Sequence, residues 1–255
     1  ARASLPLLRA VDDSRLVLLS SGRWDGQWGT GSVCNPDRTE WEPAWGAEEE
    51  GAAPCGQEGT FIPAYKPGAG DAHMSPSVPQ TAQVEDFIRT VGRDSRPVFV
   101  SEYGIGSLMN VIRELRHYEQ AQADPQAEDA ALMRRMAASL EADWERYGLR
   151  GVYPFAEDML RDSQRRHASH RRLTFDLIRA NPKVCGYNVT GMLDHGMTGE
   201  GLWTFWREWK PGLFDALRDG WAPLRWCLFL DPLHGYLGRE VSVEAVLATE
   251  DALLV

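Results

Sequence analysis

Apolar residues fall along the chain in two recurring patterns. Three short, nearly continuous runs predict buried strands: Arg15-Leu-Val-Leu-Leu-Ser-Ser21, Arg96-Pro-Val-Phe-Val-Ser-Glu102 and Val184-Cys-Gly-Tyr-Asn-Val-Thr-Gly-Met-Leu193. Parallel strands covered on both faces lose the polar alternation of half-buried ones and read as such runs. A weaker strand is expected at Thr60-Phe-Ile-Pro63 or just before Asp71. Between the runs the spacing becomes helical. Val84, Phe87, Ile88 and Val91 form one stripe closed by Gly92, and Ser107 reads as the cap of a helix carrying Leu108, Val111, Ile112, Leu115 and Tyr118. Leu132, Met136, Leu140 and Trp144 recur every fourth residue, with Gly148 as the closing glycine. A further helix is expected from about Asp158 to Ala180, stopped by Asn181-Pro182. Leu5 to Val11 reads as the tail of a helix, and the alternation after Glu240 predicts a half-buried strand.

Strands alternating with helices imply a parallel α/β protein. The runs end in polar residues, at Ser21-Gly-Arg-Trp-Asp25, Ser101-Glu-Tyr-Gly104 and Asp194-His-Gly196. Both a (β/α)8 barrel and an open doubly wound sheet put ligands at the C-terminal ends of their strands, so this feature does not choose between them. Three or four βα units make half of an eight-stranded barrel. Both ends look cut, because the chain opens inside a helix and closes after one alternating strand, which needs a sheet to join. The stretch from Asp25 to Gly70 is rich in Gly, Pro and acidic residues, yet Trp24, Trp28, Trp41 and Trp45 punctuate it and argue for order.

Composition narrows the class. The 255 residues carry a formal net charge of −10, with 43% hydrophobic residues. Nucleic-acid partners are disfavoured by the sign of the charge, and no apolar run reaches bilayer-spanning length. Cys34, Cys55, Cys185 and Cys227 show no Cys-x-x-Cys spacing, so neither a zinc site nor a disulfide framework is indicated. Walker A, Gly-x-Ser-x-Gly and dinucleotide fingerprints are missing from the sequence.

Four segments carry candidate chemistry. Glu102 ends an apolar strand, where a carboxylate is costly unless it faces a cleft or a partner; the plainer alternative is a bond to a loop or an arginine. Asp71 and His73 stand two apart, which places both on one side of an extended strand. They suit a metal, a base pair, a polar ligand, or simply a turn. The segment Thr190 to Trp203, with Gly191, Gly196, Gly199 and Gly201 beside Asp194, His195 and Glu200, suits a loop closing over a site. Trp203, Trp206 and Trp209 follow at three-residue spacing, close to one helical face, and tryptophan rings also cover the CH faces of sugars. His167 and His170 lie among four arginines, and a solvated helix face is the expected reading.

Taken in order, Asp12-Asp-Ser-Arg-Leu-Val17, Ser20-Ser-Gly-Arg23, Asp71-Ala-His73, Arg96-Pro-Val-Phe-Val-Ser-Glu-Tyr-Gly104 and Gly186-Tyr-Asn-Val-Thr-Gly-Met-Leu-Asp194 resemble glycoside hydrolase family 2, the family of β-galactosidases, β-glucuronidases and β-mannosidases. The resemblance implies the C-terminal half of a (β/α)8 TIM barrel over residues 1–232, then the start of a β-sandwich domain over 233–255. It implies that Glu102 is the catalytic nucleophile and that His73 lines the sugar subsite. Asp71, Tyr103, Asp194, Trp24 and Trp203 would complete the substrate contacts. No cofactor or metal is implied, and the partners are a carbohydrate and the remaining domains of the same polypeptide. The sequence departs from the family in three places. Met74 and Ser75 replace the aromatic that often follows the histidine, and the Asn-Glu pair whose glutamate serves as general acid does not occur. An Asn-x-Lys stretch after Glu102, associated with β-glucuronidases, is also missing, so β-galactoside-like substrates are slightly favoured over glucuronides. The competing expectations are a non-catalytic carbohydrate-binding relative and an unrelated α/β enzyme with Asp71 and His73 as metal ligands.

Overall fold

A computed structural model describes residues 5–12, 14, 29–31, 71–74, 76, 78–91, 98–195, 198–232 and 235–250. They fall into two compact units: Ala1–Pro76 with Thr81–Gly104 and Leu177–Val189, and Ser77–Gln80 with Ile105–Asp176 and Thr190–Val255. The first predicted strand, Trp24, the tryptophans of the long loop and Thr60 to Pro63 lie outside the described residues.

The first unit holds a four-stranded sheet in the order β1 (Gly29–Gly31), β2 (Asp71–Met74), β3 (Val98–Tyr103) and β4 (Val184–Val189). Strands β2, β3 and β4 run parallel, as the apolar runs of β3 and β4 predict, whereas β1 pairs antiparallel with β2. The described residues are therefore mixed α/β, and no barrel closure is seen among them. Strand β2 covers Asp71–Met74, the residues expected just before Asp71 lie outside the described residues, and β4 ends at Val189 rather than running on to Leu193. Helix α1 (Leu5–Val11) and helix α2 (Ala82–Thr90) accompany the sheet. Val84 and Ile88 form the buried stripe of α2, while the side chain of Thr81 accepts the Val84 N–H at its start. Its C-terminal carbonyls are met from elsewhere in the unit: the buried Asn181 donates from Nδ2 to the carbonyls of Ile88 (2.9 Å) and Val91 (3.0 Å). Asn181 Oδ1 in turn accepts the Lys183 N–H at 2.9 Å, just before β4 begins.

The second unit is built on α3 (Val111–Gln120), α4 (Glu128–Arg146) and most of α5 (Ala156–Arg179). Met109, Val111, Met133, Ala137 and Leu160 form its buried core, with Leu115, Tyr118, Met136 and Leu140 packed around them. Helix α4 ends at a left-handed Gly148 (φ 65°), the conformation the sequence assigns to that glycine. The cap of α3 is Asn110, whose side chain accepts the Arg113 N–H at 3.1 Å. Ser107 is not the cap, because its hydroxyl is bonded elsewhere. After β4 come α6 (Leu213–Gly220) and an antiparallel hairpin of β5 (Leu224–Asp231) and β6 (Ser242–Thr249). A domain boundary after residue 232 falls between the paired strands of this hairpin.

Candidate functional site

Glu102 is the penultimate residue of β3 and is half-buried. Its partner across the parallel β2 ladder is His73, next to a register shift between Ala72 and His73. Two motifs about thirty residues apart in sequence thus meet at the C-terminal ends of neighbouring strands, where parallel sheets place their ligand sites. Asp71 opens β2 and pairs with Phe99 near the start of β3, away from that end. Tyr103 is fully buried and pairs with Val189, the last residue of β4. The chain that leaves β4 therefore sets out beside the residue that follows Glu102.

The segment after β4 is not the loose lid its glycines suggest. Gly191 is left-handed (φ 82°), and a side chain there would collide with the Glu200 carbonyl. A Cβ at Gly199 would overlap the Ser107 carbonyl, and one at Gly201 would overlap the Asp194 amide. Gly191, Gly199 and Gly201 let the segment fold tightly on itself, with backbone bonds from Leu202 N–H to Gly191 O (2.8 Å), Trp203 N–H to Met192 O (3.0 Å) and Asp194 N–H to Trp203 O (3.0 Å). His195 sits outside as an exposed partner of Glu200 at 2.9 Å.

Asp194 is buried rather than presented to a ligand. Its Oδ1 accepts the Lys210 ammonium at 2.7 Å and the Gly201 N–H at 2.9 Å. Lys210 Nζ also donates to the Gly199 carbonyl (2.7 Å) and to the Ser107 hydroxyl (3.1 Å). Burial pushes the Asp194 carboxyl up and the Lys210 ammonium down from their ordinary values, and their mutual attraction opposes both shifts. Beneath this pair lies Glu114 of α3, fully buried, with neither carboxylate oxygen hydrogen-bonded within the protein. Burial, then the neighbouring Asp194 and Glu208 carboxylates, raise it to about 7.

Trp203, Trp206 and Trp209 do not share a helical face, since their segment is a tight turn with Arg207 at φ 62°. Trp203 and Trp209 bridge as short extended pieces, their rings edge to face at 5.0 Å, and Trp209 meets Phe214 at 5.5 Å. Trp206 turns the other way, onto the rings of His117 (5.4 Å) and Tyr118 (5.1 Å). The turn is pinned by Glu208, whose carboxylate takes two bonds from Arg113 (2.6 and 2.7 Å) and one from His117 (3.1 Å). The Arg113 bonds, with His117, hold Glu208 down at about 2.

The arginine-rich stretch of α5 is only partly a solvated face. Arg165, Arg166 and Arg172 are exposed, but His167 and Arg171 are fully buried. Arg171 donates to His167 Nε2 (3.2 Å) and to the Ile105 carbonyl (3.0 Å). Burial, with the cations Arg171 and Lys210 nearby, drives His167 down to about 2 and keeps it neutral. Lys210, Glu114 and Arg171 were not legible as a cluster in the sequence. Glu114 left one trace: it stands three residues after Val111 and four before Tyr118, on the inward stripe of its helix.

Among the described residues no group of three or more His, Cys, Asp or Glu side chains converges as a metal site, and no helix is long and apolar enough to cross a membrane. In comparisons with known proteins, the chain matches no family model and no curated protein.

Proposed function

We propose that this chain contributes the nucleophile half of a retaining β-glycosidase with a (β/α)8 catalytic barrel. The observation that carries the reading is the pairing of His73 with Glu102 at the C-terminal ends of adjacent parallel strands. The resemblance to glycoside hydrolase family 2 assigns the same two residues to one sugar subsite. Glu102 attacks the anomeric carbon and displaces the aglycone, giving a glycosyl ester that water then hydrolyses. A second carboxyl group protonates the leaving oxygen and afterwards takes a proton from the water, and in such enzymes the two lie about 5–5.5 Å apart. The resemblance places that acid in an Asn-Glu pair, which this sequence does not contain. The test therefore needs a protein carrying this chain together with such a pair.

His73 fixes sugar hydroxyls in this reading, with Tyr103 beside the nucleophile. The burial of Asp194 removes it from the direct contacts and gives it a supporting task. In this reading β6 lies in the stretch, residues 233–255, that opens the following β-sandwich domain. A 2-deoxy-2-fluoro β-glycoside with a good leaving group is expected to trap a glycosyl ester on the peptide containing Ser101-Glu102-Tyr103. Label on another carboxylate, or near-normal turnover in Glu102→Gln, overturns the assignment.

A further inference from the structure

We infer that one flank of α5, lined by Arg161, Arg165 and Arg172, is a docking surface for an acidic protein segment whose carboxylates these guanidiniums bind. The inference does not depend on the glycosidase reading above. All three residues belong to the second unit and are exposed. At 3.6 residues per turn, spacings of four and seven bring them within about 40° of one another around the helix. They form one row about 16 Å long, beside the buried row that carries Gln164, Ala168 and Arg171. The acids of the same helix are engaged elsewhere. Glu157 is bonded to Arg116 (2.9 Å) and Asn110 (3.3 Å), and Asp162 to Arg166 and Tyr153 (both 3.0 Å). Asp176 is bonded to Arg225. Asp158 stands in the first turn, where the helix dipole favours a carboxylate. Glu157 and Asp162 act on Arg161 and Arg165 only through space.

Among the described residues Arg161, Arg165 and Arg172 therefore take part in no ion pair, whereas Arg113, Arg116, Arg166 and Arg225 do. The chain carries 37 acidic residues against 27 basic ones. With carboxylates in excess, a row of three arginines that meets none is a local reversal of the chain's charge. A guanidinium is a planar fork that takes a carboxylate or a phosphate in two parallel bonds, and the net charge decides between the two. An extended nucleic acid, with a charge on every phosphate, is repelled by a chain of net charge −10 beyond the row itself. A short acidic segment sets its few carboxylates on the row alone. A helix with carboxylates at the same spacings of four and seven matches the row residue for residue.

The probe is a dye-labelled helical peptide with three glutamates at those spacings, and its fluorescence anisotropy is titrated with the 255-residue chain at low salt. Arg161→Gln/Arg165→Gln/Arg172→Gln is expected to weaken binding at least about tenfold, the combined loss of three partly exposed charge pairs. Exposed side chains of this kind are replaced with little loss of stability. Arg135→Gln/Arg146→Gln/Arg239→Gln removes the same charge from exposed positions elsewhere and is expected to change the affinity less than about twofold. Raising the salt from roughly 50 to 200 mM should weaken the wild-type complex several-fold. No binding of the peptide to wild type, equal weakening in the two triple variants, or an affinity indifferent to salt overturns the docking surface. A single-stranded oligonucleotide with the same number of charges is titrated beside the peptide. Tighter binding of the oligonucleotide overturns the acidic protein segment as the partner.

Discussion

Glu114 and His167 are buried in the same unit with opposite displacements. Glu114 is raised from 4.5 to about 7, and His167 is lowered from 6.5 to about 2. For Glu114 the folded state holds its proton after the unfolded chain has released it, so its contribution is full below pH 4.5 and is lost as pH rises to about 7. For His167 the unfolded chain takes up a proton that the folded state refuses, so its contribution is full above pH 6.5 and is lost as pH falls. Each slope is about 1.4 kcal/mol per pH unit. Between pH 4.5 and 6.5 the two slopes cancel. Glu114→Gln is therefore expected to make the chain acid-sensitive, losing up to about 3 kcal/mol relative to wild type between pH 7 and pH 4.5. His167→Asn, which keeps an acceptor for Arg171, is expected to tilt stability the other way. Urea midpoints of the three proteins across this range decide it, and parallel curves for wild type and Glu114→Gln sink the account. These two residues also show what sequence patterning hides. Apolar spacing marks Glu114's stripe but gives no sign that a carboxyl sits in it without a hydrogen bond. A basic run such as Arg165 to Arg172 reads as solvent-facing until the helix turns Arg171 inward.

The strands and helices were legible wherever one period dominated. Strands β3 and β4 are short apolar runs, α4 repeats every fourth residue, and Gly148 closes it with the positive φ that a glycine adopts freely. Legibility failed where side chains that also suit a local cap were used over long range. Ser107 satisfies the pattern of a helix cap, yet its hydroxyl serves Lys210 and Gly199, and Asn110 takes the cap instead. Asn181 looked like a stop before Pro182, but it also closes α2 from ninety residues away. Its side chain makes three hydrogen bonds, two of them to carbonyls at the end of α2. Asn181→Ala is expected to cost about 2–3 kcal/mol, since buried acceptors left without donors cost more than the bonds are worth on average. A urea midpoint of the variant measures the loss, and exchange at the last turn of α2 should rise with it. A change below about 0.5 kcal/mol, the range of ordinary surface substitutions, contradicts the role. Within the candidate site the pairing of His73 with Glu102 was legible only as two separate motifs, because strand register is set by tertiary pairing and not by spacing.

The chain carries a net charge of −10, and its hairpin presents an apolar face. In β5, Arg225 and Cys227 point inward, with Arg225 bonded to Asp176 and, at 3.3 Å, to Asp219. Leu224, Trp226, Leu228 and Leu230 alternate with them and are exposed, and register sets Leu247 opposite Trp226 and Val243 opposite Leu230. Trp226 is 59% exposed and Val243 61%, so the face amounts to roughly 500–600 Å² of apolar surface, the upper end of what single soluble proteins show. A two-stranded sheet is marginal by itself and gains from a third strand or a covering layer. Burying such a face in each of two copies removes on the order of 1,000–1,200 Å² from water, the lower edge of a specific interface. The 255-residue chain is therefore expected to self-associate despite its charge of −10, and to do so more in high salt, which screens the repulsion between copies. Trp226→Lys with Leu228→Glu places charge at the centre of the face without touching the inward residues. Light scattering against concentration should show wild-type mass rising and the double variant staying near 28.6 kDa. A wild-type chain that remains monomeric at high concentration and high salt rules out this face as the cause of association.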